Sequence, residues 1–363
     1  MNCEMSAEEP MDYSEISRAA EWIHLPIELK EQIMRLLPFQ DKQNMMLVNR
    51  ECAKVCDTLP NKLREISILE MPSTAKTTLT IMWKNERGRL VSRMVDYRGD
   101  QMHQTDCPPH TAEAMKVFVK ILKRAKVKTV TIEIPCFEGL QDIWDQAMNE
   151  QTRVTVKYFN IRTNDYRLVK RALQCARNSK HEISLLANDS GAIETEIFDM
   201  EKIKQARSVI LWSLVSNIQD HQLISLNAHN IRISSEFITS QCIIQMLTEW
   251  KDGRRKLERL HISSPLIDYE EITKMVPCVC WKNLTDICQL VWREVDEEGY
   301  LHAIRGPSFD VPAAIGIINL EGVQTFIFRI IKINSHLAEL ICTKCSPNSE
   351  NCNNVQQVEQ AAN

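Results

Sequence analysis

Between Trp22 and Leu59 apolar residues recur at helical spacing in three short bursts. Leu29, Ile33, Leu36 and Leu37 fall at i, i+4, i+7 and i+8, which is one face of a helix. Leu25-Pro26 precedes them, and proline suits the first helical position because its missing N–H is not needed there. Pro38 ends the run, since its ring clashes with the preceding turn. Asp41 is placed to cap a second helix, whose Met45, Met46, Leu47 and Val48 are all apolar. Asn49 is placed to cap a third, where Cys52, Val55, Cys56 and Leu59 keep the spacing up to Pro60. Three short helices of roughly 40 residues cannot bury so many large apolar side chains among themselves. They either pack on the rest of the chain as ordinary core or leave an apolar face for a partner.

Beyond them the period changes. Arg64 to Leu69 begins the next domain as a strand. Thr77 to Trp83 puts Leu79, Ile81 and Trp83 on one face, and Arg89 to Arg98 follows a short loop holding Gly88, a hairpin signal. From His110 to about Arg293 helical and strand patterns alternate. Thr111 can cap a helix carrying Met115, Phe118, Val119 and Leu122, followed by a strand from Val127 to Ile134. Leu140, Ile143, Trp144 and Ala147 precede a strand from Arg153 to Phe159. Val169, Ala172, Leu173 and Ala176 precede one from Glu182 to Ala187. Weaker pairs follow at Met200–Ile203 with Val209–Leu214, and at Leu223–Leu226 with Ile231–Ser234. Thr239 can cap Ile243, Met246, Leu247 and Trp250 ahead of Leu257 to Ile262. Asp268 and Glu271 have the spacing of a capping box, and Leu284 to Trp292 reads as the last strand of the run.

The strands begin roughly every 22 to 28 residues, near the period of leucine-rich repeats, with no asparagine ladder and no fixed leucine spacing. The pattern predicts a chain of the α+β/α/β class. A small three-helix unit is followed by a degenerate leucine-rich-repeat-like α/β arc, with helices as the crossovers that parallel strands need and with flanking β-hairpins. A non-repetitive α/β domain is the alternative. Leu290 to Arg305 reads as a closing hairpin turning at Asp296 to Gly299, and Ile315 to Lys332 as further strands with Gly322 at a turn. The expected divisions are a disordered acidic leader (1–20), the helical unit (21–63), the α/β domain (64–333) and a disordered polar tail (334–363).

Composition narrows the function classes. The 363 residues suggest two or three domains, and 44% hydrophobic against 25% charged residues allows a large core. A formal net charge of -4 argues against a strongly electrostatic nucleic-acid or membrane binder. The acidic start lacks the apolar run of a signal peptide, and no stretch approaches the roughly 18 apolar residues of a membrane span. An odd count of 13 cysteines without framework spacing suits reduced thiols in the cytosol or nucleus.

Candidate chemistry is sparse. Cys342 and Cys345 have the spacing of half a zinc site, with Cys352 and His336 nearby, but incidental thiols are the better reading. His103, Cys107 and His110 flank Pro108-Pro109 as loop residues, and Cys278 and Cys280 read as core or loop thiols. Lys120, Lys123, Arg124, Lys126 and Lys128 form a basic run suited to a helix C-terminus, and Arg254-Arg255-Lys256 a turn after a helix. No phosphate loop, nucleophile elbow or zinc-protease helix occurs. No catalytic, cofactor or metal residue is therefore assigned.

Leu25-Pro26, Glu28, Ile33, Leu36-Leu37, Asp41 and Leu47-Val48-Asn49 together resemble the F-box, without a gap. The Trp common in that family's third helix is absent; Cys52 or Val55 lies near its place. The resemblance implies docking on the Skp adaptor of a cullin-RING ubiquitin ligase, and through it on a cullin. It implies Leu25, Pro26, Ile33, Leu36, Leu37, Leu47 and Val48 as the adaptor-binding residues. A second stretch, Ile231 to Ile262, is similar to the F-box-associated domain of the large nematode F-box families, through Thr239, Trp250, Leu257, Glu258, Leu260 and Ile262. Together these imply a substrate receptor rather than an enzyme, without a cofactor, holding an unidentified target protein near a ubiquitin-charged enzyme. A repeat scaffold outside any ligase is the alternative.

Overall fold

The computed structural model describes residues 22–330, apart from 60, 86, 100–107, 149–151, 178–180, 187–194, 212–215, 281–299, 305–306, 308–312 and 321–322. Three helices come first: α1 (Ile27–Leu36), α2 (Phe39–Val48) and α3 (Arg50–Thr58). Pro26 sits one place before α1. α2 starts directly behind Pro38, three residues earlier than expected, so Asp41 lies inside its first turn and no side chain caps it. The carboxylate there still favours the positive end of the helix dipole. Asn49 does cap α3, its side chain accepting the Cys52 N–H at 2.7 Å.

One mixed sheet of 13 strands follows. β1 (Asn61–Met71), β2 (Lys76–Lys84) and β3 (Leu90–Arg98) form an antiparallel meander, with Gly88 at φ 71° in the β2–β3 turn, a conformation that favours glycine. α4 (Pro109–Lys123) then crosses to β4 (Ala125–Glu133), which lies parallel to β1 on its other side. From here strands and helices alternate. α5 (Gln141–Ala147) leads to β5 (Thr155–Arg162), α6 (Tyr166–Gln174) to β6 (Glu182–Leu186), and α7 (Glu201–Lys204) to β7 (Ser208–Leu211). α8 (Asp220–Ser225) leads to β8 (Asn230–Ser234), and α9 (Ser240–Lys251) to β9 (Arg259–Ser263). Each of β5 to β9 pairs in parallel with the strand before it.

The end of the sheet departs from expectation. α10 (Tyr269–Met275) leads to β10 (Cys278–Cys280), which goes to the far edge. β11 (Tyr300–Ile304), β12 (Ala313–Leu320) and β13 (Val323–Ile330) then run antiparallel back toward β9, and β13 pairs with β9 itself. β11 pairs with β10 and β12, while the rest of the hairpin expected from Leu290 to Arg305, with its turn at Asp296 to Gly299, and the strand expected from Leu284 to Trp292 lie outside the described residues.

A row of buried side chains crosses the sheet in register: Ile66, Val130, Phe159, Ile183, Val209, Ile231, Leu260 and Phe328. Helices cover it; Trp250 of α9 packs edge-on against Phe328, with ring centroids 4.9 Å apart. Leucines keep no fixed spacing, but buried positions do. Buried residues repeat three and then two positions apart in Leu63/Ile66/Ile68, Val127/Val130/Ile132, Val156/Phe159/Ile161, Ala206/Val209/Leu211, Ala228/Ile231/Ile233 and Leu257/Leu260/Ile262. The pairing register skips Arg64, Lys128 and Lys157. Strand alternation shifts there, and residues three apart can then both face inward.

Hydroxyls tie successive units together. Ser235, just past β8, donates to the Ile218 carbonyl at 2.7 Å and accepts the Phe237 N–H at 3.2 Å. Ser264, just past β9, repeats both bonds with Ile238 and Leu266 at the same distances. Thr163 does the same after β5, with Pro135 and Asp165. The helix caps changed role accordingly. Thr111 lies inside α4, not before it, and its hydroxyl meets that of Thr77 at 2.7 Å. Thr239 does precede α9, but its hydroxyl donates to Asp220 at 2.6 Å instead of capping. Asp268 caps α10 through two amides, while Glu271 reaches Gln241 at 2.6 Å rather than completing the box. Arg255 is no solvated turn residue; it is held by Glu249 and donates to the Leu226 and Ile224 carbonyls.

Candidate docking site

The three N-terminal helices make a small core of their own. Met34, Cys52, Val55, Cys56 and Leu59 are buried together, with Trp22, Leu37, Met45 and Met46 packed around them. The Cys56 thiol donates to the Lys42 carbonyl at 3.6 Å and lies 3.5 Å from the Met34 sulfur. Burial pushes the Lys42 ammonium below the ordinary lysine range. This core turns α1 in an unexpected direction. The side chains α1 buries are Lys30 and Met34, and Lys30 is paired with Glu51 of α3.

The apolar stripe of α1 therefore faces away. Leu29 is 44% exposed, Ile33 40% and Leu36 85%, and Ile27, in the first turn and off that stripe, 57%. α2 ends the same way, with Leu47 at 85% and Val48 at 65%. Among the described residues 12 large apolar side chains are exposed, and these six fall within one stretch of 22 residues. That concentration is far from the scattered single apolar residues that ordinary surfaces carry.

The seven residues singled out from the sequence divide by burial. Pro26, Ile33, Leu36, Leu47 and Val48 are exposed. Leu25 and Leu37 are half-buried, Leu37 against the small core. Ile27 and Leu29 join the exposed set and were not among the seven. Leu29 lies on the predicted stripe; Ile27 lies off it, so helical periodicity does not select it.

The helices pack on the sheet through the start of α2. Phe39, the first residue of α2, belongs to the main core and meets Trp83 of β2 with ring centroids 5.2 Å apart and planes at 54°. Beside this contact an open cavity of about 400 Å³ separates Pro38, Gln40 and Asp41 from Arg87, Arg89 and Val91. Of the residues considered for metal or thiol chemistry, His103, Cys107, His336, Cys342, Cys345 and Cys352 lie outside the described residues. His110 is buried in α4, and Cys278 and Cys280 belong to β10. Among the described residues no group of three or more His, Cys, Asp or Glu side chains could hold a metal ion.

The three helices thus form a small unit with exposed apolar side chains, joined to a sheet. Residues 22–64 match the model of the F-box domain family, so the docking helices are an F-box domain. No curated protein and no solved structure matches the chain.

Proposed function

We propose that this chain is the target-recognition subunit of a Skp–cullin–F-box ubiquitin ligase. F-box domains bind the Skp adaptor, and the six apolar side chains exposed on α1 and α2 of the matched segment carry this reading. Ile33, Leu36, Leu47 and Val48 dock on the adaptor with Ile27 and Leu29, while Leu25 and Pro26 fix the entry to α1. A cullin follows through the adaptor.

The sheet is the target-binding part. Its buried residues at spacings of three and two support a degenerate leucine-rich-repeat-like arc in β4 to β9. The face opposite the buried row carries exposed Asn160, Arg162, Arg232 and Arg259, a polar surface open to a target protein. The likeness of Ile231 to Ile262 to nematode F-box-associated domains points the same way. In this role the chain contributes proximity, raising the effective concentration of target lysines, and performs no bond chemistry. The cytosol or nucleus is its place; Cys52, Cys175 and Cys242 are buried free thiols, which suits a reducing compartment.

The test is capture of a purified Skp adaptor by the full chain and by the double variant Leu36→Asp, Leu47→Asp. The reading expects capture by the first and loss with the second. Equal capture by both would refute it.

A further inference from the structure

The sheet stops at β3, whose outer side has no neighbouring strand among the described residues. β2 and β3 pair residue for residue from Lys84–Leu90 to Lys76–Arg98 without a bulge. A hydrogen bond closes the ladder at each end. The Asn85 N–H donates to the Arg89 carbonyl at 2.9 Å, and the Gly99 N–H to the Ala75 carbonyl at 3.0 Å. An antiparallel ladder alternates between pairs that exchange hydrogen bonds and pairs that do not. Counted from either end, Val91, Arg93, Val95 and Tyr97 spend their backbone groups on β2. Leu90, Ser92, Met94, Asp96 and Arg98 aim theirs outward.

Those five residues are also exposed, Leu90 at 55% and Met94 at 65%. A long flat edge is normally blunted by proline, lysine or a bulge, because it can template another strand. β3 has no proline, lysine or bulge; its charges, Arg93, Asp96 and Arg98, include both signs.

We propose that this edge pairs with its own copy, β3 against β3 and antiparallel, about a twofold axis through Met94. Two chains then share one continuous sheet. In that register Met94 faces Met94 of the second copy, Ser92 faces Asp96, and Leu90 faces the aliphatic stem of Arg98. On the other side of the sheet Val91 faces Tyr97, and Arg93 faces Val95. Every outward-aimed backbone meets another outward-aimed backbone, giving about ten new hydrogen bonds. No like charges stand opposite each other. Asp96, already held by Thr78 at 2.9 Å and Lys76 at 3.0 Å, keeps an oxygen side open to the Ser92 hydroxyl. A twofold interface requires that residue i meet j while j meets i. In that register the exposed side chains match themselves, the Ser92 hydroxyl on Asp96 and Met94 on Met94, and this favours a second copy over an arbitrary extended segment.

The proposal does not depend on the adaptor reading. It is tested on the purified full chain by sedimentation equilibrium across a range of concentrations. The wild type is expected to show a monomer–dimer equilibrium. Met94→Lys sets two ammonium groups opposite each other and should weaken the dimer more than about tenfold, an effect that salt relieves. Met94→Pro removes an outward N–H without touching the bonds to β2 and should also give monomer. At concentrations low enough that the wild type is also monomeric, both variants should unfold at the wild-type temperature, since Met94 is exposed. A wild type that stays monomeric, or a dimer that survives both Met94 variants, overturns the proposal. So does a dimer abolished by Leu36→Asp with Leu47→Asp but kept by Met94→Lys, because the contact would then lie on the helices.

Discussion

Phe39 and Trp83 are in ring contact, 5.2 Å between centroids, although 44 residues separate them in the chain (83 − 39). Phe39 opens the second helix of the F-box domain and Trp83 lies in the second strand of the sheet. Otherwise the two parts have separate cores. This contact, with the direct run from α3 into β1, ties the orientation of the docking face to the sheet.

Phe39→Ala should therefore act on the junction. Loss of a buried Phe costs about 3 kcal/mol or more when the site cannot collapse. Urea unfolding should show a lower midpoint for the variant, with tryptophan emission shifted to the red as Trp83 gains water. An unchanged midpoint would mean that the ring contact is incidental.

On the docking face the opposite is expected. Leu36→Asp and Leu47→Asp change side chains that are 85% exposed, so unfolding should move by less than about 0.5 kcal/mol. Adaptor affinity, measured by calorimetry, should fall at least about thirtyfold, near 2 kcal/mol. Leu25→Ala with Pro26→Ala should also weaken adaptor binding while leaving the sheet folded.

Asp165 gives a pH signature. Burial pushes its carboxyl up, but the Arg167 side chain, the Arg167 amide and the Phe137 amide pull it further down, to a net position below the usual carboxylate range. A depressed acid stabilises the fold above its unfolded pKa of about 4 and loses that contribution as pH falls through its folded value. Asp165→Asn keeps a side chain that can cap α6 but removes the charge. The stability gap between wild type and variant should be wide at about pH 6 and close toward about pH 3. A gap that does not change with pH would show that the charge contributes nothing.

The hydroxyl staples are testable one at a time. Ser264 is fully buried, so Ser264→Ala leaves the Ile238 carbonyl and the Leu266 amide without their shared partner. The expected loss is about 1 to 3 kcal/mol. Hydrogen exchange should speed up at the Leu266 amide ahead of the sheet as a whole.

Much of this molecule was legible in its sequence. The helical bursts around Ile33, Met46 and Val55 marked the three F-box helices, because 3.6-residue periodicity survives without tertiary context. Asn49 announced its cap, since capping is a local bond. The hairpin around Gly88 and the alternation from α4 to β9 followed from periodicity and turn chemistry. The apolar surplus before Pro60 was visible as a surplus.

The tertiary structure decided the rest. Periodicity defines a stripe on α1 but not which way it points; the Lys30–Glu51 pair and the Met34–Cys56 contact turned Leu36 and Ile33 outward. Thr111, Thr239 and Glu271 had the right residue types for capping, but neighbours distant in sequence claimed their polar groups first. The repeat of Ser235 and Ser264 was hidden because its constant feature is a pair of hydrogen bonds to the neighbouring unit, not a row of leucines. The place of β13 beside β9, ahead of β10, was beyond reach. Strand order depends on which edges meet when the sheet closes, and that is a property of the assembled backbone rather than of any local run of residues.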